Sequence, residues 1–278
     1  MTAPLPIVLL TDFGTRDTYV GQVKAVLTAR APAAPLIDLT HEVSPYAIDE
    51  GAWLLETALP FLPAPAVVLA VVDPGVGSER LPIAVRASAA GDPAAARYFV
   101  GPDNGLLSAV ASPDARPSTP GRCPAPPGLN VRAIEDPEVR LANVSATFHG
   151  RDLFAPAAAH IAVAGHHETL GPAREELTLL PPFAGRTEGT TIRGTVIHVD
   201  RYGNLVTTIR KEQLPQNFKL DINDYGIEHM VRTFSDASPG ALACHIDSSG
   251  FLAIAEREGN AAARTGAARG DAVVLTPR

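Results

Sequence analysis

Along the first 180 residues, short continuous apolar runs alternate with longer stretches of helical spacing. Residues 7–10 read as a strand, followed by a helix over 20–30. Residues 36–39 read as a second strand and 49–59 as a second helix, with Trp53 among its apolar positions. The run 66–72 is apolar throughout, the pattern of a strand buried on both faces. Further strands are expected at 83–86 and 98–100, joined by an Ala/Gly/Asp/Pro connection over 87–97. A helix over 153–164, with Gly165 as its stop, closes this half. Alternating strands and helices predict an α/β domain with a mostly parallel sheet over residues 1–180.

The pattern then changes. Leu180-Pro181-Pro182-Phe183-Ala184-Gly185 opens a linker, assigned to 181–189, because proline and glycine break both periodicities. Short β-type runs follow at 191–199, 205–209, 241–246, 251–255 and 272–275, with few helical patterns between them. Residues 190–278 are therefore expected to form a small all-β domain, a barrel or a sandwich. The proline-rich stretch 113–129 reads as a surface loop, and no internal repeat is present.

Charge narrows the function. The formal net charge is -7 and no run of five basic residues occurs, which argues against a general nucleic-acid binder. The N-terminal Met1-Thr2-Ala3-Pro4-Leu5-Pro6 has no positive leader region, and the apolar run 7–10 is too short to span a membrane. A cytoplasmic protein without membrane association is the expectation. Cys123 and Cys244 are far apart and form no CxxC pair, so neither a disulfide framework nor a zinc-cysteine site is expected. Cys244 should pack in a strand and Cys123 should sit in a loop.

Three apolar strands end in polar, glycine-containing turns: Thr11-Asp12-Phe13-Gly14-Thr15, Asp73-Pro74-Gly75-Val76-Gly77 and Gly101-Pro102-Asp103-Asn104-Gly105. In an open α/β sheet the carboxyl ends of the strands form the ligand crevice, where a carboxylate can accept bonds from ribose hydroxyls. Asp and Gly are also ordinary turn residues, so each turn alone has a structural explanation. Gly75-Val76-Gly77 lacks the third glycine of a dinucleotide fingerprint, and no phosphate-binding lysine loop is present. A fourth cluster, Phe148-His149-Gly150-Arg151-Asp152, precedes a helix. There Asp152 can support the helix N-terminus, while His149 has a side chain suited to proton handling near neutral pH. No HExxH or comparable spacing points to a metal. In the second half, Asp200-Arg201-Tyr202-Gly203-Asn204 and Asp247-Ser248-Ser249-Gly250 each join two strands. They serve equally as hairpin turns or as ligand contacts, with the Asn204 amide on an adenine edge and Tyr202 stacked on a ring.

Taken in order with Glu258-Gly259-Asn260-Ala261-Ala262, these segments resemble the S-adenosyl-L-methionine hydroxide adenosyltransferases, relatives of fluorinase and chlorinase. The resemblance runs over nearly the whole chain. It implies an N-terminal α/β domain and a C-terminal β-barrel, assembled as a homotrimer with each site between the N-terminal domain of one subunit and the C-terminal domain of the next. It implies that Asp12 holds the ribose diol, that Tyr46 stands where the halogenases place a tryptophan over the ligand, and that Asn204 reads adenine with backbone near Asn260 and Ala261. Asp200 is expected at the methionine amine and Ser248 near its carboxylate. Asp73, Arg80 and His149 match the triad of the water-using branch. The halogenases carry a tyrosine in place of Asp73 and Tyr-Ser in place of His149-Gly150.

The implied reaction is attack of water-derived oxygen on C5′ of S-adenosyl-L-methionine, giving adenosine and L-methionine without metal or organic cofactor. Sequence leaves open which of Asp73 and His149 handles the proton. Three rivals stand beside this reading: a halide-dependent 5′-halo-5′-deoxyadenosine synthase, a non-catalytic adenosine-binding protein, and a metallohydrolase.

Overall fold

The computed structural model describes residues 3–89 and 92–278, and the chain divides into two compact units, Met1–Pro182 and Phe183–Arg278. In the first unit the strands are β1 (Ile7–Thr11), β2 (Leu36–Thr40), β3 (Ala66–Val71), β4 (Pro82–Ala89), β5 (Asp92–Pro102), β6 (Gly121–Pro124), β7 (Leu129–Ala133), β8 (Ala173–Arg174) and β9 (Glu176–Leu179). Its helices are α1 (Tyr19–Arg30), α2 (Ile48–Ala58) and α3 (Ala155–Ala164). Seven strands form one sheet in the order β2-β1-β3-β5-β4-β7-β8. The pairings among β2, β1, β3 and β5 are parallel, and those from β5 through β4 and β7 to β8 are antiparallel.

The continuous apolar runs follow from burial on both faces. Ile7, Leu9, Val67, Leu69 and Val71 pack on one side with Val23 and Leu27 of α1 and the alanines of α3. Val8, Leu10, Val68, Ala70 and Val72 pack on the other side with Leu55 of α2 and Leu106. Each such aliphatic side chain contributes roughly 1.5–3 kcal/mol by leaving water, so these central strands fix the sheet.

Three expectations need correction. The connection placed at 87–97 is largely strand, because β4 and β5 pair antiparallel as far as Ala89 and Asp92; residues 90 and 91 lie outside the described residues, as do Met1 and Thr2 of the N-terminal reading. The supposed surface loop 113–129 contains β6, which pairs antiparallel with β9, so Cys123 is partly buried in a strand rather than in a loop. Arg186–Glu188, inside the expected linker, form a short strand.

That strand, β10 (Arg186–Glu188), opens the second unit. It is followed by β11 (Thr191–Val199), β12 (Leu205–Arg210), β13 (Phe218–Ile222), β14 (Tyr225–Ile227), β15 (Leu242–Ile246), β16 (Phe251–Glu256), the short helix α4 (Ala261–Thr265) and β17 (Ala272–Pro277). All strand pairings here are antiparallel, in the order β14-β13-β17-β11-β12-β16-β15 with β10 against β11, a nearly closed barrel. Its core gathers Val196, Leu205, Leu220, Cys244, Ile254 and Leu275. Among the described residues no helix is long and apolar enough to cross a membrane.

Candidate active site

Strands β1 and β3 are parallel neighbours, with Thr11 in register with Val71. Their polar turns therefore begin side by side at the carboxyl edge of the sheet, and Asp12 and Asp73 enter one cavity of about 550 Å³. Tyr46, Phe13, Phe148 and His149 also line it. The volume suits a ligand the size of a substituted nucleoside.

The turn after β3 folds Arg80 back onto Asp73. Val76 N–H donates to the Asp73 carbonyl, and the Ser78 hydroxyl bonds the Gly75 carbonyl and receives the Arg80 N–H. A Cβ on Gly77 would stand 2.7 Å from the Ala146 carbonyl oxygen, so only glycine lets this turn lie against the 145–147 segment. Arg80 Nε donates to both oxygens of Asp73, at 2.9 and 3.1 Å, and Nη2 bonds Oδ2 as well. Nη2 also lies 2.8 Å from His149 Nδ1. The Asp73 and Arg80 side chains are only 6% and 9% exposed, and the guanidinium lies 5.1 Å from the centre of the Phe154 ring.

Arginine has only donors, so His149 Nδ1 accepts and the neutral imidazole carries its proton on Nε2. Burial pushes the His149 pKa below the ordinary histidine value, and the adjacent Arg80 cation adds to the effect, against the pull of Asp73 and Asp152. Burial also raises the Asp12 pKa and the Asp73 charge adds slightly, while N–H groups of Tyr46 and of Asp12 itself oppose the shift. Tyr46 N donates to Asp12 Oδ2 at 3.0 Å, with Tyr46 in a left-handed backbone conformation (φ 67°) and its ring exposed.

His149 precedes a five-residue π-helical turn, Gly150–Phe154, that leads into α3. Such turns recur at functional sites. Asp152, within it, is fully buried and does more than support a helix end. It accepts from Ser145 N–H at 2.8 Å and from Arg151 Nε at 2.6 Å, while Arg151 Nη1 reaches Gln22 Oε1 at 2.8 Å. Arg151, within the His149 cluster, lines the cavity, as do Gln22 and Ser145, which no local sequence signal marks. The third polar turn is structural. Asn104 bonds the Val72 carbonyl, Asp103 accepts from Thr178 N–H, and a Cβ on Gly101 would sit 2.3 Å from the Ala70 carbonyl oxygen. Among the described residues, no group of three or more His, Cys, Asp or Glu side chains converges as metal ligands would.

In the barrel unit, Asp200 Oδ1 accepts from Tyr202 N and Asn204 N, and Oδ2 from the Asn204 amide at 2.7 Å. The turn meets the α4 N-terminus: Ala262 N donates to the Gly203 carbonyl, and Asn260 caps the helix through Ala263 N. Gly203, at φ 82°, faces the Asn260 amide so closely that a Cβ would overlap it. Asp200, Tyr202, Asn204, Asn260 and Ala261 thus form one assembly, with the Tyr202 ring 77% exposed and Ala261 buried. Ser248 is exposed on the β15–β16 turn, where Asp247 accepts from Ser249 N and Phe251 N. His245, which no sequence motif marks, lies buried on β15 near the charges of both Asp247 and Asp200.

Profiles of two domains match this chain: the SAM hydroxide adenosyltransferase N-terminal domain over residues 7–171 and its C-terminal domain over 194–274. The chain belongs to the SAM hydroxide adenosyltransferase family. An (R)-S-adenosyl-L-methionine hydrolase of Salinispora tropica is 40% identical, covering 99% of each chain. A protein of the same name from Thermus thermophilus is 38% identical, covering 97% of this chain and 99% of its own. The crystal structure of a conserved protein from Thermotoga maritima superposes with a TM-score of 0.82 at 32% identity, over 97% of this chain and 99% of that one. Membership of the family accounts for both halves of the fold, since its two domains match in order.

Proposed function

We propose that this protein hydrolyses S-adenosyl-L-methionine to adenosine and L-methionine, with water-derived oxygen forming the new bond at C5′ while the bond from C5′ to sulfur breaks. One proton is released and the sulfonium leaves as a neutral thioether, so no acid is needed on that side. The observation that carries this reading is the Asp73–Arg80–His149 group, in which Asp73 and His149 line the cavity with Asp12 and the buried Arg80 guanidinium joins them. The group can position a water and tolerate negative charge on its oxygen, while Asp12 is at hand for a ribose diol.

In this scheme His149 keeps its Nε2 proton and donates a hydrogen bond from it to the attacking oxygen, because Nδ1 is engaged by Arg80. Asp73 takes the proton that the water gives up, and Arg80 holds the carboxylate in place. Tyr46 covers the ligand. In the barrel unit Asn204 reads adenine beside the backbone of Asn260 and Ala261, and Tyr202 stacks on a ring. Asp200 meets the methionine amine and Ser248 its carboxylate. These barrel residues serve the site of a neighbouring subunit in a homotrimer, which gives the exposed Tyr46 and Tyr202 rings a purpose. Light scattering is expected to return three chain masses; a monomer at assay concentration contradicts the assembly.

Incubation with S-adenosyl-L-methionine in chloride buffer should release adenosine and methionine in equal amounts. Formation of 5′-chloro-5′-deoxyadenosine instead would indicate a halide-using enzyme, and tight binding without turnover an adenosine-binding protein. Because the relatives' name specifies the (R) form, both sulfonium epimers belong in the assay.

A further inference from the structure

The turn that carries Asp12 and the loop that carries Tyr46 meet at one buried imidazole. His41 follows β2, whose pairing with β1 slips by one residue between Leu9 and Leu10. The slip lies just before the end of β2, and His41 is 5% exposed beside Thr11, which is 1% exposed. Its Nδ1 is 2.8 Å from Thr11 Oγ1 and its Nε2 is 3.1 Å from Asp38 Oδ1.

The direction of each bond follows from chemistry. Burial tends to raise the Asp38 pKa, but bonds from Lys24 and His41 outweigh it and hold the carboxyl below its usual value. As a carboxylate Asp38 only accepts, so Nε2 carries a proton, and in the neutral ring Nδ1 accepts from the Thr11 hydroxyl. Thr11 Oγ1 in turn receives the Phe13 N–H at 3.3 Å. Backbone bonds run alongside: Gly14 N–H to the His41 carbonyl at 2.7 Å and Val43 N–H to the Thr11 carbonyl at 3.3 Å. The Thr15 hydroxyl also bonds Glu42 Oε1 at 2.9 Å, and Tyr46 N–H completes the joint on Asp12 Oδ2.

We infer that His41 is a positioning residue for substrate binding: through the Thr11 hydroxyl it sets the Asp12 carboxylate, and with it Tyr46, in the geometry that receives the ribose diol. A hydrophobic residue would fill the same space but leave the buried Thr11 hydroxyl without its acceptor. The inference rests on the ribose role proposed for Asp12.

The two ring nitrogens can be tested separately. Asparagine at position 41 offers its carbonyl near the Nδ1 position and can still accept from Thr11. Glutamine reaches the Nε2 position, keeps Asp38 and abandons Thr11. Adenosine affinity by calorimetry and the KM and kcat for S-adenosyl-L-methionine are measured for His41→Asn, His41→Gln, Thr11→Val and Asp12→Asn. His41→Gln and Thr11→Val are expected to weaken adenosine binding and raise KM by about tenfold, the scale of one lost buried hydrogen bond, with little change in kcat. His41→Asn should remain near the wild type. Weakened binding in Asp12→Asn with unchanged binding in both Thr11→Val and His41→Gln overturns the role of His41. Equal losses in His41→Asn and His41→Gln overturn it too, since a merely structural histidine makes no such distinction. Unchanged affinity in Asp12→Asn removes the ribose role itself. Thr11→Val is nearly isosteric, so the test survives if a His41 variant fails to fold.

Discussion

Replacing His149 with alanine is expected to lower kcat by about 10²–10³-fold, the loss typical of one preorganised donor at a developing charge, while KM changes little. The expectation follows from the Arg80 bond to Nδ1, which leaves the Nε2 proton to hold the attacking oxygen. The same geometry predicts an acid limb. Protonated His149 can no longer accept from Arg80 and places a second cation beside it, so activity should fall as pH drops through the histidine pKa. Burial and Arg80 place that pKa below the ordinary value of about 6.5. The limb should be absent from whatever activity His149→Ala retains. Wild-type turnover in the variant removes His149 from the mechanism, and a limb that persists assigns it to another group.

Arg80→Leu is expected to destabilise the N-terminal unit by about 3–5 kcal/mol, because it leaves the buried Asp73 carboxylate without its partner. For a domain of this size, that loss lowers the melting temperature by about 6–20 °C. Adding Asp73→Leu should restore much of it, since exchanging both members of a buried ion pair for apolar residues is often neutral. Activity should be lost in both. If the single variant melts within a degree or two of the wild type, water screens Asp73 and Arg80 and they do not form a buried pair.

The parts that sequence made legible share a physical cause. Ile7–Thr11 and Ala66–Val71 announce themselves because both faces are buried, and the abrupt polarity of Asp12 and Asp73 marks where they reach the crevice. Arg80 carries no such mark. It reaches Asp73 only because the Gly75–Ser78 turn reverses the chain, so its place came from the family resemblance alone. Phe218–Ile222 alternates Phe-Lys-Leu-Asp-Ile with every apolar residue inward, a strand signal that its polar neighbourhood obscures. Gly121–Pro124 was not legible: glycine and proline at its ends read as loop, and only the distant partner Glu176–Leu179 makes it a strand. The supports behind the site were hidden for the same reason. Gln22 meets Arg151 across 129 positions, and Thr11 meets His41 across 30, contacts that no local pattern encodes.

In the proposed reaction water attacks C5′ beside Asp12, Asp73, Arg80 and His149. Turnover of S-adenosyl-L-methionine in ¹⁸O-labelled water, with mass analysis of both products, tests it most directly. One labelled oxygen is expected in adenosine, on the 5′ carbon, and none in methionine. Unlabelled adenosine, or label in methionine, would contradict it.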